Sequence, residues 1–234
     1  MEKKRTGSIG IRMVAFATIL AALLLAVAAP GSMAADPEDA QGIVDKARVA
    51  FGGFMRDDNY SWMRDHLKDA KGVLIYPQVL KAGFIFGGSG GTGVLLSRDG
   101  QTGEWSNPAF YTMGSASIGL QIGGESAEVV LLVMSQKGMD SLLTSKFNLG
   151  GDASVALGPV GGGAKSDITS DFLSFSKSQG LYAGINLDGS YISVRDSLNK
   201  AYYGKEASPM DIIVKQSVSN RGATPLREEL KKAK

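Results

Sequence analysis

Stiff apolar runs alternate with glycine through residues 71–158, and this pattern limits the fold more than any other feature of the chain. The stretch opens with KGVLIYPQVLKAGFIFGGSGGTGVLLSRDG. The same pattern of apolar runs and glycine continues in AEVVLLVM and SKFNLGG. Glycine interrupts a strand where the backbone bends or where another backbone comes close, and Gly119 is one position where we expect this. The sequence therefore predicts a close-packed, strongly curved sheet.

Short turns separate the predicted strands. Residues 98–101 and 187–190 each contain Asp-Gly, a dipeptide typical of turns between strands. The longest predicted pair is 110–122 with 127–134, joined around Gly123-Gly124. The other predicted strands are 73–76, 83–86, 92–97, 154–164, 173–178, 181–186 and 191–195. Strands in series with short connections favour antiparallel pairing.

Helices are predicted before, between and after these strands. Asp36 caps a helix that begins with Pro37, and apolar residues recur from Ala40 to Met55 at the spacing of one helix face. Shorter helices are expected at 60–70, 137–146, 195–203 and 224–232. The predicted fold class is α+β: a strongly curved antiparallel sheet or partial barrel, with N-terminal and interspersed packed helices.

The first 34 residues have the pattern of a signal peptide. An unbroken apolar run covers residues 13–29, Pro30-Gly31 ends it, and Ser32 and Ala34 are the small residues that a signal peptidase reads. Four basic residues precede or begin the run: Lys3, Lys4, Arg5 and Arg12. We expect cleavage after Ala34 and a periplasmic or secreted protein. The alternative is an uncleaved segment that anchors the chain in the inner membrane.

Charge and cysteine content exclude several classes of function. Of 25 basic and 23 acidic residues, four basic and one acidic lie in residues 1–34, so the remainder has 21 and 22 and a formal charge of −1. A nucleic-acid-binding protein normally has a clear basic excess, so no nucleic-acid partner is expected. The chain has no cysteine, which removes disulfides, thiolate nucleophiles and thiolate metal ligands.

Several short motifs match catalytic patterns, but their contexts do not fit. Residues 88–93 read G-x-G-x-x-G but run into another strand, whereas a dinucleotide site needs a helix there. Ser89 lies in a G-x-S-x-G pattern, yet the single histidine, His66, precedes it in a helical segment. Ser174 and Lys177 form S-x-x-K on a strand, where the two side chains face opposite sides. His66 with Asp69 supplies at most two metal ligands. We predict no enzyme, no metal and no cofactor.

Four ordered blocks of the sequence resemble the SYLF domain family. They are GVLIYPQVLKAGFIFGG, SIGLQIGGESAEVVLLVM, SKFNLGGDASVALGP and NKAYYG. The resemblance covers about residues 71–204 and implies binding to phosphoinositides and actin, as in the eukaryotic endocytic adaptors that carry this domain; exported bacterial versions also exist. The predicted organisation is a signal peptide (1–34), an N-terminal helical segment (35–70), a SYLF-like core (71–204) and a C-terminal helical tail (205–234).

The resemblance implies lipid binding, and several basic and aromatic residues are candidates for it. Lys68, Lys71 and Lys81 are expected at the junction between the helices and the sheet, beside a helix that carries Phe51 and Phe54. The basic tail after Arg221 is a further candidate for contact with anionic head groups. The leading hypothesis is an exported, non-catalytic protein that binds anionic or phosphoinositide-type lipid. The alternative is an envelope protein-interaction or structural module without a lipid role. Actin is a partner only by family resemblance.

Overall fold

The computed structural model describes residues 35–83, 86–118, 123–161, 169–178 and 187–233. Eight strands form one sheet in the order β5-β8-β3-β2-β1-β4-β7-β6, which curls strongly into a half-barrel. The strands are β1 (Gly72–Gly83), β2 (Phe86–Ser97), β3 (Ala109–Ile118), β4 (Gly123–Val133), β5 (Lys146–Asn148), β6 (Val155–Leu157), β7 (Phe172–Ser178) and β8 (Tyr191–Val194). All pairs are antiparallel except the parallel pair β6 and β7.

Five α-helices accompany the sheet in the described part of the chain. They are α1 (Pro37–Arg56), α2 (Ser61–His66), α3 (Gln136–Leu142), α4 (Asp196–Tyr203) and α5 (Thr224–Lys232). A π-helical turn spans Met210–Val214. The Asp36 carboxylate accepts a hydrogen bond from the Glu38 amide, so the predicted cap of α1 is confirmed. The predicted fold class is confirmed as well.

The predicted hairpin between residues 110–122 and 127–134 is wrong. β3 pairs with β2 and β8, whereas β4 pairs with β1 and β7. The β1–β2 hairpin therefore lies between the two strands that were expected to pair. Local alternation of apolar residues predicts that a segment is a strand, but the pairing partner depends on contacts far away in the sequence.

A β-bulge in the middle of β1 shapes the centre of the sheet. The register with β2 and β4 shifts before Val79, around Pro77, which has no amide hydrogen to donate. Glycine faces this bulge on β2, because a Cβ atom at Gly93 would overlap the Ile75 carbonyl oxygen and one at Gly91 would overlap that of Gln78. The close backbone approach predicted from the glycine pattern occurs here. Gly119 and the predicted strand 181–186 lie outside the described residues.

The core has one layer on each face of the sheet. Helices α1, α2, α4 and α5 cover one face, which we name the outer face, where Ile75, Val94 and Phe110 belong to one apolar cluster with residues of the helices. The opposite face, which we name the inner face, carries Tyr76 and Tyr111, which belong to a second cluster together with residues of α3 and the π-helical turn. Both faces of the central strands are thus buried, which explains their long apolar runs.

Candidate functional site

The two phenylalanines predicted to contact lipid lie in the core. Phe51 and Phe54 are both fully buried, and the Phe54 ring contacts the Tyr60 ring edge-on with centroids 4.7 Å apart. The apolar face of α1 packs on the sheet and on α5, because this burial removes a wide apolar stripe from water. Phe51 and Phe54 are therefore corrected from lipid-contacting to core residues.

The three predicted lysines do not form one cluster. Lys68 and Lys71 are exposed at the start of β1, whereas Lys81 lies near the far end of this strand. Ten residues of extended chain separate Lys71 from Lys81, which is roughly 30 Å at about 3.3 Å per residue. Only Lys68 and Lys71 stand at the junction between the helices and the sheet, so the predicted position of Lys81 is wrong.

Arg98 joins the two junction lysines, and sequence reasoning missed it. Its guanidinium Nη1 donates to the Lys68 carbonyl oxygen (3.1 Å), and its backbone amide donates to the Lys71 carbonyl oxygen (2.8 Å). We name Lys68, Lys71 and Arg98 the basic pole. The sequence predicts a turn at Arg98, because Asp99-Gly100 follows it. Arg98 is 27 residues after Lys71 in the chain, so the sequence alone does not indicate this contact.

The basic tail also reaches this end of the sheet. The Lys231 ammonium contacts the Glu104 carboxylate at 2.6 Å, and Arg227 Nε donates to the Trp105 carbonyl oxygen at 2.7 Å. Both partners belong to the loop that follows Arg98, and Trp105 forms a β-bridge with Arg98. The structure thereby brings the two basic sets of the sequence analysis to one region, the junction lysines and the tail.

A separate groove runs between α1 and the bulge of β1. Its volume is about 680 Å³, and we name it the α1 groove. Its lining residues are Asp45, Lys46, Arg48, Val49, Pro77, Gln78, Ser126, Ala127, Glu128 and Lys177. Val49 is 59% exposed, and Leu80, which is 55% exposed, is paired in register with Ser126 of the lining. Large apolar side chains are thus exposed at a concave surface.

One acid–base pair crosses the floor of the α1 groove. Glu128 and Lys177 are register partners on β4 and β7. Burial raises the pKa of Glu128, although Lys177 opposes this shift. Lys177 also forms an ion pair with Asp57 at 3.2 Å. Burial alone would raise the pKa of Asp57, but hydrogen bonds from Asn59 and Lys177 outweigh it and leave the pKa lowered.

The residues of the rejected catalytic motifs have structural partners. Ser89 Oγ lies 2.7 Å from Ser115 Oγ, and His66 Nδ1 lies 2.9 Å from the Trp62 carbonyl oxygen with the two rings stacked. The G-x-G-x-x-G segment is part of β2, so it opens no helix. No group of three or more metal-ligating side chains occurs within the described ranges. Over the same residues, no helix has both the length and the apolar character that crossing a bilayer requires.

An α+β half-barrel with two exposed lysines at its basic pole and an open groove has the character of a binding domain. The chain belongs to the Ysc84 family, because the family model described as "Las17-binding protein actin regulator" matches residues 114–233, slightly more than half of the chain. This confirms the resemblance to the SYLF domain family. The description names binding and regulation rather than a catalysed reaction.

Three eukaryotic relatives show how far the similarity extends. The chain is 34% identical over 68% of its length to an SH3 domain-containing protein of Schizosaccharomyces pombe, of which it covers 38%. It is 36% identical over 63% of its length to Protein YSC84 of Saccharomyces cerevisiae, and it covers 32% of that protein. It is 30% identical over 62% of its length to SH3 domain-containing YSC84-like protein 1 of Rattus norvegicus, and it covers 43% of that protein. The chain thus spans less than half the length of these relatives. No solved structure matches it.

Proposed function

We propose that the protein is an exported, non-catalytic binding protein whose basic pole contacts anionic lipid surfaces. The observation that carries this proposal is the convergence of Lys68, Lys71 and Arg98 at one end of the sheet, held by two hydrogen bonds from Arg98. The implied preference of SYLF domains for phosphoinositide-type head groups supports the same reading. Each cation close to an anionic membrane contributes about 1 kcal/mol.

The attraction between the basic pole and an anionic surface is electrostatic in its physical origin. Phe51 and Phe54 are buried, so neither adds an apolar insertion that resists salt. A Debye length of about 8–10 Å at 0.1–0.15 M salt screens charges at a surface. We therefore expect binding to anionic vesicles to disappear almost completely as salt rises.

Vesicle sedimentation of the chain from Ala35 onward, which forms one compact unit, tests this proposal. The protein should pellet with vesicles that contain anionic lipid and remain soluble with neutral ones. Changing Lys68 and Lys71 together to Gln should weaken binding roughly 10- to 30-fold at low salt, from the loss of two surface cations. The matched control changes Lys205 and Lys215 to Gln. Equal pelleting with neutral and anionic vesicles, or equal losses in both double variants, would reject the basic pole.

Export is the second part of the proposal. It rests on the basic and apolar segments of residues 1–34 and on the small residues Ser32 and Ala34. Mass spectrometry of the protein recovered from the cell envelope should find a chain that begins at Ala35 or Asp36, in the periplasm or outside the cell. Recovery only of a chain that begins at Met1 would instead support the inner-membrane anchor.

The α1 groove favours a second candidate function, a protein-interaction module. Exposed Val49 and Leu80 beside a groove of about 680 Å³ suit a protein partner better than a lipid head group. The names of relatives, including LAS seventeen-binding protein 3 of Saccharomyces cerevisiae, support binding to a protein. A photo-crosslinking residue at position 49 should then capture one defined envelope protein, whereas the same residue at exposed position 205 should not. Identical products from both positions would leave lipid binding as the better candidate.

A further inference from the structure

A row of polar side chains crosses the sheet near the far end of β1. Ser115 of β3 is the register partner of Ser89 of β2, Ser89 is the partner of Lys81 of β1, and Lys81 is the partner of Glu125 of β4. Register partners of antiparallel strands project from the same face. We name Ser115, Ser89, Lys81 and Glu125 the polar row.

The polar row borders the inner core layer. Val79 lies two residues before Lys81 on β1 and belongs to the inner apolar cluster, and Ala127 lies two residues after Glu125 on β4; both are nearly fully buried. Side chains alternate between the faces of a strand, so Lys81 and Glu125 share the inner face with these residues. A ligand at the polar row would thus meet charged and hydroxyl groups at the edge of an apolar layer.

The polar row has two chemically different halves. The Ser89 and Ser115 hydroxyls lie 2.7 Å apart, and Ser89 is the register partner of Lys81, so this half of the row is rich in donors for an anion. On the other half, the Glu125 carboxylate accepts a hydrogen bond of 2.5 Å from the buried hydroxyl of Ser178. A carboxylate and a hydroxyl oxygen can both accept hydrogen bonds from an ammonium group.

Lys81 and Glu125 do not neutralise each other, although they are register partners. Within the described residues, half-buried Lys81 has no ion pair or hydrogen bond from its ammonium group, and Glu125 bonds to Ser178 instead. The two opposite charges thus form no ion pair with each other in the described part of the chain. The Lys81 ammonium is therefore available to an anionic group, and the Glu125 carboxylate to a cationic group, of one ligand that carries both charges.

We propose that the polar row binds a phosphate group linked through two carbons to an ammonium group, as in phosphoethanolamine. The phosphate lies between Lys81 and the two serine hydroxyls, and the ammonium lies at Glu125. Neighbouring strands are about 4.8 Å apart, a separation that a two-carbon link spans. This site is distinct from the basic pole, from which roughly 30 Å of β1 separates it, and it selects a dipolar group rather than net negative charge.

Titration of the chain from Ala35 onward with free phosphoethanolamine, followed by amide chemical shifts in NMR, tests the proposal. The largest shifts should occur at residues 81, 89, 115 and 125. Inorganic phosphate alone and ethanolamine alone should each bind at least about tenfold more weakly, because each satisfies one half of the row. Phosphocholine should also bind more weakly, since its quaternary nitrogen has no hydrogen to donate to Glu125.

Two variants separate the halves of the polar row. Lys81→Gln should reduce the affinity for phosphate and for phosphoethanolamine alike. Glu125→Gln should reduce only the affinity for phosphoethanolamine. The matched control is Lys205→Gln, which removes an exposed cation outside both the polar row and the basic pole and should change neither affinity. Ser89→Ala provides a milder test of the anion half if Lys81→Gln unfolds the protein, as dispersed amide signals would reveal.

The same experiments show whether the ligand is free or a lipid head group. Neutral bilayer discs that contain phosphatidylethanolamine should bind through residues 81 and 125, and phosphatidylcholine discs should not; binding of free phosphoethanolamine alone would identify a soluble ligand of the same chemistry. No shifts at the polar row, or an affinity for phosphoethanolamine equal to that for phosphate, would overturn the proposal. Because these discs carry no net charge, failure here leaves the anionic-vesicle test of the basic pole unaffected.

Discussion

At single positions in the sheet, the atoms that face a glycine decide whether a larger residue would fit. Gly93 faces the bulge of β1, where a Cβ atom would overlap the Ile75 carbonyl oxygen and approach Tyr76 Cδ1 to 2.6 Å. Gly114 on β3 faces open space, since its nearest neighbour would be the Ser89 carbonyl oxygen at 3.9 Å. The two glycines therefore occupy strands for different reasons.

Replacing these glycines by alanine should have opposite consequences. Gly93→Ala should lower the free energy of unfolding by roughly 1–3 kcal/mol or more, because the overlap forces the backbone of β1 to move. Gly114→Ala should be neutral or stabilising by a few tenths of a kcal/mol, since alanine restricts the unfolded chain. Urea unfolding of both variants measures the difference. Equal midpoints would contradict the close approach at the bulge.

Protonation of Asp171 should destabilise the folded state. Burial alone would raise the pKa of its carboxyl, but hydrogen bonds from the Ser135 hydroxyl and from the amide and hydroxyl of Ser154, with Lys137 at 3.7 Å, outweigh it and leave the pKa lowered. A lowered pKa means that the folded state prefers the carboxylate. Its stabilising effect is therefore complete above the unfolded pKa of about 3.9 and is lost as pH falls through the folded pKa.

Asp171→Asn should destabilise the protein by about 2 kcal/mol at pH 7, because the part-buried hydrogen bonds from Ser135 and Ser154 lose a charged acceptor. The deficit relative to the parent should shrink as pH falls below about 4, where the parent also loses the carboxylate. Unfolding curves at pH 7, 5 and 3 check both statements. A deficit that stays constant over this range would show that the charge of Asp171 is not the cause.

At the scale of elements, α1 packs its apolar face on the sheet and leaves one edge exposed at the α1 groove. Phe51 and Phe54 fill the outer core layer, while Val49 points into the α1 groove. Phe54→Ala should cost about 3–5 kcal/mol through the cavity it leaves, and Val49→Ala on the same helix should change stability by less than about 0.5 kcal/mol. Thermal or urea unfolding distinguishes them. A small effect of Phe54→Ala would mean that α1 detaches easily and would reopen a membrane role for its apolar face.

The elements that the sequence predicted correctly are those set by local chemistry. The cap at Asp36, the proline after it and the spacing of apolar residues together defined α1 to within one residue. Pairing of β3 and β4 was wrongly predicted because it depends on the β1–β2 hairpin, which lies between them in the sheet. Pro77 could have signalled the bulge, since proline within a central strand requires one.

Only the part of the candidate site that depends on residues close in sequence was predicted correctly. Lys68 and Lys71 are close in sequence and remain close in space, but Lys81 was placed with them although an extended strand carries it away. Arg98 reaches Lys68 and Lys71 only because β1 and β2 are antiparallel, with Gly72 opposite Ser97. A prediction of that hairpin register would have found the basic pole.

At the scale of the whole molecule, the C-terminal segment packs against the first helix and the sheet. Leu226 and Leu230 of α5 are buried in the outer core layer against α1, and Gln41 of α1 donates to the Gly222 carbonyl oxygen at 3.2 Å. The ion pair of Lys231 with Glu104 adds a contact to the loop beside the basic pole. Residues 35–234 accordingly form one compact unit. The first and last helices thus cover the same face of the sheet.

This arrangement predicts that α5 unfolds together with the sheet rather than as a separate tail. In native-state hydrogen exchange, the amide of Leu230 should exchange with about the same free energy as that of Leu131 in central β4, because exposing α5 also exposes the outer core layer. Gln216, an exposed residue that follows the π-helical turn, is the internal control, and its amide should exchange with a much lower free energy. Replacing Leu230 by Ala should lower the protection of Leu230's neighbours and of Leu131 equally. Rapid exchange throughout 224–232 while β4 stays protected would mean that the C-terminal helix is an independent appendage.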